Sequence, residues 1–341
     1  MFVRRFLAMG MLSLPFAAAA HVKWFVDYNM EHRPAALLHL VQSGDFMALV
    51  VLATGVIFFT SILDRKWPSP VDVSAWQPAL IRLERFAPGV LRYGTAFFFL
   101  TLTLGFPHII LTPELVIPNP AMRYVHAIIA VMALHRRTSL IAGAGILFLY
   151  SYATQLYGTF HMLDYLVFIG VGVHLISQTL CGNRVRGLPM EVVRFTLAYS
   201  FLWGAIEKFM QPALFHQLLK DYPYLTMGLN SDFFIRASGF VEFCCAWHIF
   251  SGRAAGYAGI GLMAFFVIGA VIPFGMIDFI GHFLFIVPLT AILLVPRRVP
   301  LCRTAWGCTL AFVTTLGLFL LAAYAAWYML YFYLHPHLFR A

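Results

Sequence analysis

Apolar stretches long enough to cross a bilayer recur along the whole chain, FMALVVLATGVIFFTSIL (46–63) being the plainest. A hydrocarbon core of roughly 30 Å takes about 20 helical residues to span. Backbone polar groups in lipid must be satisfied internally, so only helices or closed barrels qualify. The runs are continuously apolar, not alternating, which excludes a barrel. Composition agrees: of 341 residues, 61% are hydrophobic and 11% charged. The expected fold is therefore all-α, a polytopic integral membrane helix bundle. Spans are expected at about 46–63, 89–111, 121–134, 139–156, 162–180, 190–209, 232–250, 255–273, 277–295 and 307–333.

The net charge of +9 could suggest a nucleic-acid partner, but its distribution does not. Arg65, Lys66, Arg82, Arg85, Arg136, Arg137, Arg184, Arg186, Arg253, Arg297, Arg298 and Arg303 fall in alternate loops. Cytoplasmic loops collect Lys and Arg, so those loops are read as inside a bacterial inner membrane, with the C-terminus periplasmic. Residues 1–20 carry Arg4-Arg5, an apolar run and AAAA, the anatomy of a signal peptide or signal anchor. Residues 21–87 then hold an outer segment, one span and a basic loop. In the outer segment, Trp24, Phe25 and Tyr28 are expected at the headgroup level. SAWQPALIRLERF in the basic loop suits a short interfacial helix.

The middle of the chain repeats itself. VLRYGTAFFFL (90–100) aligns without gaps with VVRFTLAYSFL (192–202), and FHMLDY (160–165) with FGMIDF (274–279). Arg92 thereby meets Arg194, and Asp164 meets Asp278. Arg123 precedes His135 by the same 12 residues that separate Arg236 from His248. We expect two tandem four-helix repeats, 88–181 and 190–296, in parallel orientation. They are flanked by N-terminal helices and by a C-terminal helix at 307–333.

Charges inside lipid are costly, about 2.5–3.5 kcal/mol each at mid-bilayer on insertion scales, and mark a functional site or a structural pair. The candidates are Glu207, Lys208, Arg236 and Glu242. Functionally, Lys208 and Arg236 would hold an anion or a quinone headgroup, and Glu242 would relay a proton. Structurally, the set would be ion pairs tying helices together, with Arg236 and Lys208 snorkelling. Asp278 and His282, four apart on one helix face, could orient an imidazole, and His161 with Asp164 reads the same way. His161 and His174, 13 apart, invite a haem reading that needs a matching pair, which His126 and His135 do not supply. His32, His39, His335 and His337 could bind a metal at the surface, a weak signal, and no metal site is expected. No disulfide framework is visible in the five cysteines. Nor is there a Walker loop, dinucleotide fingerprint, HExxH or GxSxG.

The second repeat resembles the DoxX/DoxD family of four-helix membrane proteins. The matching features are Gly204, Glu207, Lys208 and Pro212, then Gly239, Glu242, Gly252 and Arg253. The first repeat departs from the pattern: Gly105, Phe106 and Ile129 stand where Glu207, Lys208 and Glu242 would be. Members of that family resemble the membrane subunit of thiosulfate:quinone oxidoreductase, and others are tied to thiol and oxidative-stress functions. The resemblance implies quinone-linked redox chemistry with a small anionic or thiol-type donor at the outer face. The alternatives are a scaffold or assembly subunit with other membrane or periplasmic partners, and a small-solute transporter.

Overall fold

The computed structural model describes residues 22–26, 34–67, 77–117, 119–181, 187–295, 297 and 299–334, the last three by backbone alone. The expected signal segment, His32, His335 and His337 lie outside the described residues. The described chain is all-α, the bundle its composition demands. Its helices are α1 (Leu37–Gln42), α2 (Gly44–Lys66), α3 (Gln77–Glu84), α4 (Ala87–Gly105), α5 (Met122–Ala133) and α6 (Ser139–Tyr157). They continue with α7 (Thr159–Leu180), α8 (Leu188–Met210), α9 (Pro212–Asp221), α10 (Ser231–Ser251), α11 (Ala254–Leu294) and α12 (Ala305–Leu334). Six of them, α2, α6, α7, α10, α11 and α12, are long and apolar enough to cross a membrane. The protein is thus a multi-pass membrane protein.

Local sequence explains where helices start and stop. The Ser43 hydroxyl accepts from Phe46 N and caps α2, and the Asn230 carboxamide accepts from Phe233 N and caps α10. Pro212 cannot continue α8 and instead opens α9. The 41 residues of α11 would stretch to about 60 Å as one rod, twice the hydrocarbon core. Gly275 breaks it, at φ 70° and ψ −147°, a conformation that strains any side chain, two residues after Pro273. The chain turns back there. Val295 O, at the far end, accepts from Arg194, as does Ile249 O near the end of α10.

Helices α4, α5, α6, α7, α8, α10 and α11 pack in succession into a ring that closes where α11 meets α4. Helices α2 and α12 pair with each other, and α2 also lies against α10. One end of the bundle is basic, and its guanidinium groups cap carbonyls. Arg65 donates to Ser61 O and Cys302 O, and Arg253 to Asp64 O and Trp67 O. The Asp64 carboxylate accepts from Arg253 N and Ala255 N at the start of α11. The candidate site lies toward the opposite end, where α8 finishes and α7 begins.

Candidate functional site

Four elements deliver the buried charges. Asp164 and Tyr165 sit in the 3-10 turn Leu163–Tyr165 at the mouth of α7. Glu207 and Lys208 lie in the last turn of α8. Glu242 comes from α10, and Asp278 and His282 from the returning half of α11. All are buried.

The organising cation is one that sequence reasoning left at the surface. Lys23 is 4% exposed. Its Nζ lies 2.5 Å from Asp164 Oδ2 and 2.6 Å from Glu207 Oε1. The one ammonium group thus bridges the turn before the long run of α7 and the end of α8. The Trp203 indole N–H, one turn back on α8, donates to Glu207 Oε1 at 3.3 Å. The neighbouring Trp24 is likewise inserted among the helices. Its Nε1 donates to the Tyr165 hydroxyl at 3.2 Å, and its ring meets His282 edge-on at 4.6 Å. A Cβ on Gly281 would stand 2.3 Å from the Trp24 ring, so glycine alone leaves that slot open.

Around this centre the other groups pair. Lys208 Nζ donates to Glu242 Oε2, joining α8 to α10. His282 Nδ1 lies 3.0 Å from Asp278 Oδ2. The Tyr165 hydroxyl donates to Glu114 Oε1 in the loop after α4, and His161 Nε2 lies 3.3 Å from the same oxygen. Among the described residues, two ammonium groups thus face five carboxyl groups and two imidazoles. Asp164 Oδ1, Asp278 Oδ1 and Glu114 Oε2 are buried without a hydrogen-bond partner.

Seven of the eight site residues expected from sequence therefore meet in this region: Glu207, Lys208, Glu242, Asp164, Asp278, His282 and His161. Arg236 does not. It donates to Ser43 Oγ at 2.6 Å and lies 3.8 Å from Asp45, with a quarter of its side chain exposed. Six residues along a helix turn about 600°, which sets Arg236 some 120° from Glu242 around α10. His174 and His126 face protein partners: the Gln178 amide approaches His174 Nε2 at 2.5 Å, and His126 Nε2 lies 3.1 Å from Ile110 O. Among the described residues, no group of three or more His, Cys, Asp or Glu is placed to hold a metal ion.

Lys23, Trp24, Tyr165 and Trp203 were missed. A usable signal existed, because Lys208 cannot balance Asp164, Glu207, Glu242 and Asp278. Charges in lipid are paired, so a further cation was required, and Lys23 sits within the apolar run VKWFV.

Further along α8, away from the acids, a cavity of about 250 Å³ opens between α8, α10 and α12, walled by Phe195, Tyr199, Leu202, Trp247, Phe250 and Phe319. Tyr199 stacks on Trp203, ring centroids 6.2 Å apart at 10°, and so connects the cavity to Glu207. The Trp247 indole N–H is buried without an acceptor.

Fold and site together define a polytopic helical membrane protein with an ion-paired interior. A family model described as methylamine utilisation protein MauE matches residues 186–276. This overturns the resemblance to DoxX/DoxD over the same stretch, because MauE is a different membrane family. Short Gly, Glu and Lys spacings on apolar helices do not separate the two. No curated protein and no solved structure matches the chain.

Proposed function

We propose that the protein handles protons for redox chemistry within a bacterial inner membrane. A reduced donor reaches the site from the outer face, and a lipid-soluble quinone accepts the electrons. Asp164 and Glu207 would pass the protons, with Asp278 and His282 as the second station. The observation that carries this reading is the Asp164–Lys23–Glu207 cluster. Lys23 Nζ bridges two buried carboxyl groups, and one ammonium balances the charge of only one carboxylate, which leaves the pair a place to hold a proton.

Further features support it. The excess of carboxyl over ammonium groups favours a site that stores protons, because uncompensated charge in the interior is costly. It also disfavours an anionic donor, since Lys208 and Lys23 are already neutralised. The aromatic cavity beside Trp203 suits a flat, membrane-soluble acceptor, and a carbonyl oxygen would satisfy Trp247 Nε1. The basic end faces the cytoplasm by the positive-inside rule, which turns the acidic site outward. We read α4–α7 and α8–α11 as the two repeats. In each, a glycine at positive φ, Gly158 or Gly275, precedes the helix that carries Asp164 or Asp278. The match over 186–276 supports a place beside other methylamine utilisation components.

The test is turnover of a short-chain quinone by purified protein in lipid nanodiscs, with small thiols and amines as donors. Glu207→Gln is expected to lower turnover at least tenfold while the protein still inserts and folds. Normal turnover in Glu207→Gln and in Glu242→Ala would remove the reading.

A further inference from the structure

We propose that the Asp164–Glu207 pair is a recognition cage for a primary alkylammonium ion, and that Lys23 is its occupant in cis. This rests on placing the working site at these two acids, and it adds the class of molecule they receive.

A lysine side chain is itself a primary alkylammonium. Its Nζ offers three donors, and two carboxylates take it at 2.5 and 2.6 Å. Asp164 Oδ1, buried and without a hydrogen-bond partner, is a further acceptor at the same place. A quaternary ammonium offers no donor and would leave every one of these oxygens unmet. Aromatic groups flank both acids. Tyr165 follows Asp164 in the chain, and Trp203 donates to Glu207.

The occupant is seated so that it can leave. Val22–Trp24 is one 3-10 turn. Among the described residues, the backbone hydrogen bonds of residues 22–26 are local, from Phe25 N and Val26 N to Val22 O. Side chains hold the segment to the bundle. Trp24 fills the Gly281 slot, and Phe25 stacks on Phe274 at 4.7 Å. Val22 and Val26 join a small apolar cluster with Leu214 and Leu218. Withdrawal of Lys23 unseats these side-chain contacts. It bares two buried carboxyl groups that a small primary amine from the aqueous phase satisfies as Lys23 does.

Two measurements test this. Lys23→Ala removes the atoms from Cγ to Nζ, a space the size of n-propylammonium. In detergent-purified Lys23→Ala protein, n-propylammonium chloride is expected to raise the thermal midpoint saturably. Tetramethylammonium and sodium chloride at equal ionic strength should not. Adding Glu207→Gln should raise the half-saturating concentration at least tenfold. In the wild-type chain carrying 5-fluorotryptophan, with the Trp24 resonance assigned through Trp24→Phe, n-propylammonium should shift that resonance and tetramethylammonium should not. The second measurement stands even if Lys23→Ala fails to fold. Equal responses to all the salts, or no response in either protein, overturns the proposal. Neither readout involves turnover, so a negative result here alongside turnover loss in Glu207→Gln would remove the cage and leave the redox reading in place.

Discussion

The Lys208–Glu242 pair separates a structural tie from a working group. Both side chains are about 5% exposed, and they connect the end of α8 to the middle of α10. Removing one member of a buried pair strands the other charge and costs about 3–5 kcal/mol. Replacing both with apolar groups of similar volume is often neutral or even stabilising. We therefore expect Lys208→Met and Glu242→Leu each to destabilise the protein by about 3–5 kcal/mol. The double variant Lys208→Met/Glu242→Leu should recover most of that loss, because no charge is left unpaired. The assay is unfolding in mixed micelles, followed by circular dichroism as the mole fraction of dodecyl sulfate rises. The same four proteins are assayed for quinone turnover in nanodiscs. A working pair gives a double variant that is stable and inactive, whereas a structural tie gives one that is stable and active. Single variants that cost less than about 1 kcal/mol each and simply add would refute the closed, buried geometry on which the reasoning rests.

Two further outcomes follow from the same packing. Gly281→Val forces Trp24 out of its slot, where even a Cβ would lie 2.3 Å away. Overpacking of this kind costs about 1–3 kcal/mol, and a red-shifted tryptophan emission together with lowered stability would register it. Arg236→Ala should cost less than about 1 kcal/mol and leave turnover unchanged, because its partner Asp45 is largely exposed. A tenfold loss of turnover in Arg236→Ala would place that guanidinium in the site after all.

Most of the fold was legible because lipid permits few solutions. Each apolar run had to be a helix, and the Pro and Gly positions that interrupt the runs had to be ends or breaks. The division of residues 254–294 at Gly275 was readable in this way, since the combined length exceeds a single crossing. The site was legible in part. Glu207, Glu242, Asp164 and Asp278 each announce themselves as an acid in an apolar helix. The family could not be read from the same residues, since eight glycine, proline and charged positions on apolar helices fit more than one membrane family. Lys23 was hidden by distance: it meets Asp164 across 141 residues and Glu207 across 184. No local pattern records such a pairing, and only the shortage of positive charge around the acids pointed to it. Arg236 misled for another reason: its depth in the outer half of the bundle was legible, but not the side of α10 from which it turns to Ser43 and Asp45.

The insertion of residues 22–26 has a practical corollary for anyone dividing this chain into portable pieces. A graft of 186–276, the stretch that the family comparison matches, would carry Glu207, Lys208 and Glu242. It would leave behind Lys23, Asp164, Asp278 and His282. Such a transplant would arrive with one lysine and two glutamates of the site, while the socket that gives them their setting is supplied from three other places in the polypeptide. An amino-terminal fusion that drags on Val22 would disturb that socket just as surely, from the other side.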